Sequence, residues 1–289
     1  MESPARSSAV QPEPDPGLEH RLASACGTAN VYAYTSVGST MELAHLVAAE
    51  HAPAGTLVWA AQQHHGRGRA GRTWESPLGG AYFSLIVRPE KAPAQIPQLS
   101  LVAGLAVVEA IHALTPLFAS IRWPNDVLIR DRKVCGILLE ARGAVPRAEI
   151  PSQAQGPSRG TEAKAGWAVV GVGINIVTDQ SLLPDTATSL VAELSRSDSH
   201  FAVDPVALTG AIYQRFTAWY AVWTLNRFEP IHQALRPWIG LFGQMVHITA
   251  GTERFEGTAT DLDEQGRLLV RLDSGLMRAF DMGEVTLLR

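Results

Sequence analysis

Gly66-Arg67-Gly68-Arg69-Ala70-Gly71-Arg72-Thr73-Trp74 lies between two apolar runs, Thr56-Leu57-Val58-Trp59-Ala60 before it and Ala81-Tyr82-Phe83-Ser84-Leu85-Ile86-Val87 after it. Gly66, Gly68 and Gly71 fit the GxGxxG spacing of dinucleotide-binding loops. That fingerprint requires a strand before the glycines and a helix directly after them. Here the second run is aromatic-rich and reads as another strand. A strand–loop–strand unit excludes the Rossmann reading. Three guanidinium groups spaced two and three apart cannot all point into a core, because unpaired buried charge is too costly. The loop is suited to wrapping an anion, since the planar fork of Arg binds phosphate and carboxylate bidentately.

Composition restricts what that anion is. The chain has 289 residues, 46% of them hydrophobic, and a net charge of -4. One or two domains with a sizeable core are expected. The acidic balance argues against a polyanion-binding surface and leaves the basic character local to the loop. Lysine is scarce, with only Lys91, Lys133 and Lys164, so a lysine inside a motif stands out. Cys26 and Cys135 are the only cysteines and make neither a disulfide framework nor a zinc site. The N-terminus lacks the apolar stretch of a signal peptide. No apolar run reaches roughly 18 residues, so no membrane span is expected. A cytoplasmic protein is expected.

Patterning predicts an α+β fold. Residues 1–30 read as a disordered tail, given the alternating prolines at 12, 14 and 16. Residues 31–238 form the expected main domain. Within it, Ser39 and Glu42 suggest a capping box opening a helix to about Ala49. Residues 96–114 predict a long buried helix. Strands are expected at 31–35, 121–123, 127–129, 133–141 and 167–177, and a proline-led helix runs from Asp204 to about Leu225. Residues 142–165, rich in Pro, Ser, Gly, Gln and Ala, predict a flexible insertion between two paired strands. Residues 239–289 hold five short strands with glycine-containing turns, a small SH3-like β-barrel.

Four clusters carry the chemistry: Gln63 with the arginine loop, Arg122-Trp123-Pro124-Asn125-Asp126, Lys133-Val134-Cys135-Gly136-Ile137-Leu138-Leu139-Glu140, and Gly171-Val172-Gly173-Ile174-Asn175. In this order and spacing they resemble the biotin protein ligases, which carry GRGRxGRxW, KWPND, KxxGILxE and GxGIN. The resemblance covers about residues 31–289. It implies a mixed-sheet catalytic domain of the biotin/lipoate ligase type and a two-step reaction. Biotin's carboxylate attacks the α-phosphate of ATP, with Mg²⁺ as cofactor, and a lysine amine of an acceptor protein then attacks the adenylate. The implied acceptor is the biotin carboxyl carrier domain of an acyl-CoA carboxylase.

Roles follow residue by residue from that resemblance. Lys133 is the implied adenylation lysine, and Arg67, Arg69 and Asp126 join it as catalytic. Ser39, Thr40, Gln63, Gly66, Arg67, Trp74, Tyr82, Lys133, Gly136 and Gly171 are the implied biotin contacts. Arg69, Arg72, Trp74, Asn125 and Asn175 are the implied nucleotide contacts, with Asp126 and Asn175 as candidate metal ligands. The demand behind these roles is electrostatic. An anion approaches a polyanion, and each charge-assisted hydrogen bond contributes roughly 1.5–3 kcal/mol.

The chain departs from the pattern at Arg122, where the family has Lys, and at the insertion. Fewer than about 40 residues precede the main domain, so a monofunctional ligase without an operator-binding helix-turn-helix is expected. Two other readings compete. A lipoate or octanoate ligase shares the fold but not the arginine-rich loop. A nucleic-acid-binding protein would use the loop on phosphates, which the acidic charge and the acidic residues Asp261, Asp263, Glu264 and Asp273 oppose.

Overall fold

The computed structural model describes residues 11–143, 165–197, 201–281 and 284–287. Its main element is an eight-stranded mixed sheet. The strands are β1 (Glu13–Pro14), β2 (Val31–Ser36), β3 (Leu57–Ala60), β4 (Gly80–Val87), β5 (Ser120–Arg122), β6 (Asp126–Ile129), β7 (Arg132–Gly143) and β8 (Ala165–Asn175). They lie in the order β1-β2-β3-β4-β8-β7-β6-β5. Only β2 and β3 pair in parallel; the other neighbours are antiparallel.

The alternation of side chains along the strands creates two faces. Phe83, Leu85, Val170, Val172, Ile174, Cys135 and Ile137 join one core with the helices α1 (Pro16–Cys26), α3 (Gln98–Leu114) and α5 (Pro205–Thr224). Val58, Ile86 and Val169 face the opposite way and pack on α2 (Thr40–Ala49) through Met41, Ala44 and Ala48. Because α2 covers only part of this second face, the stretch of β7 and β8 beyond its first turn is free to carry a site. There three of four paired positions are glycines: Gly136 pairs with Gly173, and Leu138 with Gly171.

Two expectations are corrected. The tail predicted over residues 1–30 is structured in its second half. Asp15 accepts from the Leu18 N–H as a helix cap, Pro16 opens α1, and Leu22 and Cys26 are buried in the main core. The prolines that suggested disorder include the one that starts a helix. Residues 1–10 lie outside the described residues, as do 144–164, the bulk of the expected insertion. The apolar-run reading also needs amending. The helical stretch Pro93–Leu114 is long and apolar enough to cross a membrane by length and composition, but 72% of an 18-residue segment within it is buried inside the fold. It is the core helix that the sequence suggested for residues 96–114.

Two short helices, α4 (Leu190–Ser195) and α6 (Phe228–Leu235), complete the main layer. Beyond α6 come five antiparallel strands, β9 (Met245–Ala250), β10 (Glu253–Leu262), β11 (Leu268–Leu272), β12 (Met277–Phe280) and β13 (Glu284–Leu287), ordered β12-β11-β10-β9-β13. The turn between β10 and β11 reaches back into the main layer. The Trp123 indole donates to the Gly266 carbonyl at 3.0 Å, and the Gln98 amide donates to the Glu264 carbonyl at 2.9 Å. Both side chains are buried. Trp123→Phe would leave the Gly266 carbonyl unpaired in a buried place, which costs about 1–3 kcal/mol. A thermal melt should therefore show a clearly lowered midpoint; an unchanged melt would contradict this account of how the small sheet is attached.

Candidate active site

The arginine loop is a closed hairpin. Its base is tied by the Gln63 N–H to the Ser76 carbonyl (3.1 Å), its middle by the Trp74 N–H to the Gly66 carbonyl (2.9 Å), and its tip by the Gly68 N–H to the Arg72 carbonyl (2.7 Å). The tip bends through positive φ at Ala70 and Gly71. The hairpin folds onto the glycine floor. Trp74 lies so close to it that a Cβ on Gly173 would stand 2.4 Å from the indole nitrogen, and one on Gly136 would stand 2.9 Å from the ring. The three-glycine floor exists because this ring and Met41 occupy the space side chains would take; Met41 Sδ is 2.5 Å from a would-be Cβ at Gly171.

Trp74 thereby divides the space into two cavities. The first, about 50 Å³, reaches from the start of α2 along the floor, between Thr40, Met41, Gln63, Arg67, Leu138 and Gly171. The second, about 270 Å³, is open toward Arg72, Arg122, Pro124, Asp126 and Val285. Arg69, Trp74, Asn125 and Lys133 line both. Lys133 sits at the junction. Its ammonium is 2.7 Å from Asp126 and 5.1 Å above the Trp74 ring. Asp126 also has Arg122 at 3.8 Å. The guanidinium of Arg69 donates to Asn125 Oδ1 at 2.6 Å, and the Asn125 amide donates to the Ile137 carbonyl at 2.9 Å. One lysine and one arginine thus face two compartments, so an anion in each would meet between cations.

Not every expected residue reaches these walls. Gln63 is there, and it does more than the sequence suggested. Its Oε1 accepts from both the N–H (2.9 Å) and the hydroxyl (3.0 Å) of Thr40, while its amide donates to Ser76 at 2.9 Å. Gln63 therefore serves the start of α2, and the capping box predicted for Ser39 and Glu42 does not form: Ser39 makes no side-chain cap bond. Its hydroxyl is buried without a partner, on a residue only 2% exposed. Ser39, Gly66, Tyr82 and Asn175 stand behind the lining. Tyr82 is wholly buried, donates to the Pro77 carbonyl at 2.7 Å, and is pushed up in pKa by that burial. Asn175, 1% exposed, spends its amide on the Thr188 carbonyl at 3.1 Å.

The pairing of Asp126 with Asn175 as metal ligands does not fit. In register Asp126 opposes Gly136, which opposes Gly173, and Asn175 is two residues further along β8. On ordinary strand spacings their backbones are about 12 Å apart, and Asn175 lines neither cavity while Asp126 lines the wider one, so the structure does not bring them to one cation. Among the described residues no cluster of three His, Cys, Asp or Glu could hold a metal. A magnesium ion would therefore have to be held largely by the phosphates of a nucleotide, as is usual for this ion.

One group was missed. Glu140 ends the KxxGILxE stretch but suggested no role by itself. It takes Arg67 in a two-point ion pair, at 2.6 and 3.3 Å. Its Oε2 also accepts from His45 Nε2 at 3.0 Å. The Trp167 indole donates to His45 Nδ1 at 3.0 Å, which fixes the tautomer with the proton on Nε2. Burial first, with Arg142 adding to it, lowers the His45 pKa, so the ring works as a neutral donor. Arg67 is thus anchored at the outer end of the first cavity.

Comparison with known proteins adds an independent line. Residues 34–150 match the biotin/lipoate A/B protein ligase family, and residues 241–288 match the biotin protein ligase C terminal domain. The chain is 32% identical over 222 residues to the biotin--[acetyl-CoA-carboxylase] ligase of Paracoccus denitrificans, covering 75% of this chain and 85% of that one. It is 30% identical over 245 residues to the bifunctional ligase/repressor BirA of Bacillus spizizenii, covering 84% and 70%. Among solved structures it resembles the biotin protein ligase from Aquifex aeolicus in complex with biotin and ATP, with a TM-score of 0.70, 26% identity, and coverage of 90% of this chain and 99% of that one.

Proposed function

Because the chain belongs to the biotin/lipoate A/B protein ligase family, we propose that it is an ATP-dependent biotin–[acetyl-CoA-carboxylase] ligase. It makes biotinyl-5'-AMP and passes the biotinyl group to a lysine of a biotin carboxyl carrier domain. The observation that carries this reading is the pair of cavities that share Lys133, Arg69, Trp74 and Asn125. The narrower one, walled by Thr40, Met41, Leu138 and the glycine floor, suits biotin in the character of its walls; at about 50 Å³ it is smaller than the ligand, so Trp74 and the hairpin have to move outward to admit it. The wider one, with Arg72 and Arg122 on its walls, suits the nucleotide.

In the first step a biotin carboxylate oxygen bonds to the α-phosphorus as the bond to the leaving pyrophosphate breaks. Lys133 and Arg69 neutralise the charge that gathers on the α-phosphate, the kind of preorganised electrostatic help that dominates such reactions. The Asp126 carboxylate holds the Lys133 ammonium at 2.7 Å and so keeps it aimed. Mg²⁺ would be held mainly by the phosphates of ATP and would supply screening of their charge. In the second step the acceptor amine attacks the anhydride carbonyl, AMP leaves, and an amide forms. An ordinary lysine is only about 0.04% neutral at pH 7, so a proton acceptor is needed, and we assign that role to Asp126, the carboxylate on the wall of the wider cavity. Trp74 and the hairpin keep water from the anhydride.

The anchoring of Arg67 gives a graded prediction. Glu140→Gln removes the charge that holds Arg67, and a half-exposed pair of this kind supports a modest effect. The KM for biotin should rise about 5- to 10-fold with kcat changed less than threefold; an unmoved KM would rule out the anchor. The function itself is tested by incubating the chain with biotin, MgATP and an isolated carrier domain. Intact-mass analysis should show one added biotinyl group on the acceptor lysine, dependent on ATP. An unlabelled carrier, with adenylate made, would leave the activation step and refute this acceptor.

A further inference from the structure

Lys133 is held from behind as well as at its tip. Its N–H donates to the Thr186 carbonyl and its carbonyl accepts from the Thr188 N–H, both at 2.9 Å, so the segment 186–188 runs parallel to it as a bridge. Next to this bridge sits Glu193 of α4, completely buried. Its Oε1 accepts from the Thr188 hydroxyl at 2.7 Å and forms an ion pair with Arg132, the residue before Lys133. Arg132 also donates to the Thr188 hydroxyl oxygen at 2.8 Å. Asn175 fastens the same residue from the other side through the Thr188 carbonyl. Arg130 and Arg196 stand further out, at 3.8 and 4.0 Å from the carboxylate.

The triangle Arg132–Thr188–Glu193 therefore fixes the backbone on both sides of Lys133 from a carboxylate that touches neither cavity. Burial alone would raise the Glu193 pKa. The hydrogen bonds from Thr188 and Arg132, with the charges of Arg132 and Arg196, outweigh it and hold the group ionised. A buried charge with no contact to ligand is expensive to keep. A two-point grip on the residues flanking a reactive lysine is a return for that expense, since catalytic geometry must hold to within about 0.5 Å.

We propose that Glu193 is a positioning residue for adenylation, acting through Arg132 and Thr188 to set where the Lys133 ammonium stands. The inference rests on the ligase reading above and deepens it. It also gives Asn175 a task other than the metal or nucleotide contact expected of it.

The test compares the native chain with Glu193→Gln and Thr188→Val, each also in a Lys133→Ala background. Biotin-dependent pyrophosphate release and melting temperature are measured. A displacement of about 1 Å costs up to about 10²-fold in rate. The kcat should fall about 10- to 100-fold in Glu193→Gln and about 5-fold in Thr188→Val, with KM for biotin and ATP within threefold. In the Lys133→Ala background neither substitution should lower the residual rate further, because the effect passes through the missing ammonium. Native kcat in folded variants would overturn the inference, and so would an equal fall without Lys133. Thr188→Val preserves shape and carries the test even if Glu193→Gln is too unstable to assay. A native chain that releases no pyrophosphate with biotin would overturn the ligase reading, and this inference with it.

Discussion

Lys133→Ala should lower biotin-dependent pyrophosphate release by about 10³-fold while the protein stays folded. Removing one preorganised donor to a developing oxyanion costs about 10²–10³-fold in rate, and Lys133 brings a full charge to the wall common to both cavities. Folding should survive because Asp126 keeps Arg122 at 3.8 Å and is not left as a lone charge. Lys133→Arg should restore little, at most about a tenth of the native rate. A planar guanidinium cannot take the compact place between Asp126 and the Trp74 ring that the ammonium fills. Pyrophosphate release beside a thermal melt checks both statements. A folded alanine variant retaining a tenth of the native rate would remove Lys133 from the chemistry.

Gly66→Ala should cut kcat/KM for biotin by about 10²-fold, although Gly66 lines neither cavity. A Cβ there would stand 2.2 Å from the Trp74 carbonyl oxygen and 2.5 Å from Ser76 Oγ. The backbone cannot give way without opening the 2.9 Å bond between the Trp74 N–H and the Gly66 carbonyl. Trp74, Arg67 and Arg69 would then shift together, and shifts of about 1 Å at a reacting centre cost about this much. Gly71→Ala is the matched control. Gly71 has φ +74° but nothing within 4 Å of a would-be Cβ, so it loses only backbone comfort, on the order of 1 kcal/mol. Equal effects in the two variants would mean that loop flexibility, not close approach, governs the site.

Lys133 is legible from a local motif, whereas the close approach at Gly66 is set by tertiary packing. The sheet and the long core helix were visible because burial on a strand or helix repeats locally: the wholly buried run of β4 and the apolar stretch that became α3. Lys133, Asp126, Arg69 and Asn125, named from the family motifs, line one cavity. Helix α1 was hidden by its own prolines, although Asp15 followed by Pro16 is a helix start. The capping box does not form; Gln63, from the loop after β3, instead binds the Thr40 N–H and hydroxyl at the first turn of α2. Glu140 with His45 and Glu193 with Arg132 were also invisible. Their partners are 95 and 61 residues away, and no local period records such a pairing. Glu193 in the sequence is one more acid in the first turn of a short helix, where the helix dipole alone explains it.

The most direct test of the account is pyrophosphate release by the native chain from MgATP, with biotin, lipoate and octanoate each supplied separately. Release with biotin alone is the predicted result. Release with lipoate or octanoate in its place would contradict the account and assign the two cavities to a different acid on the same fold.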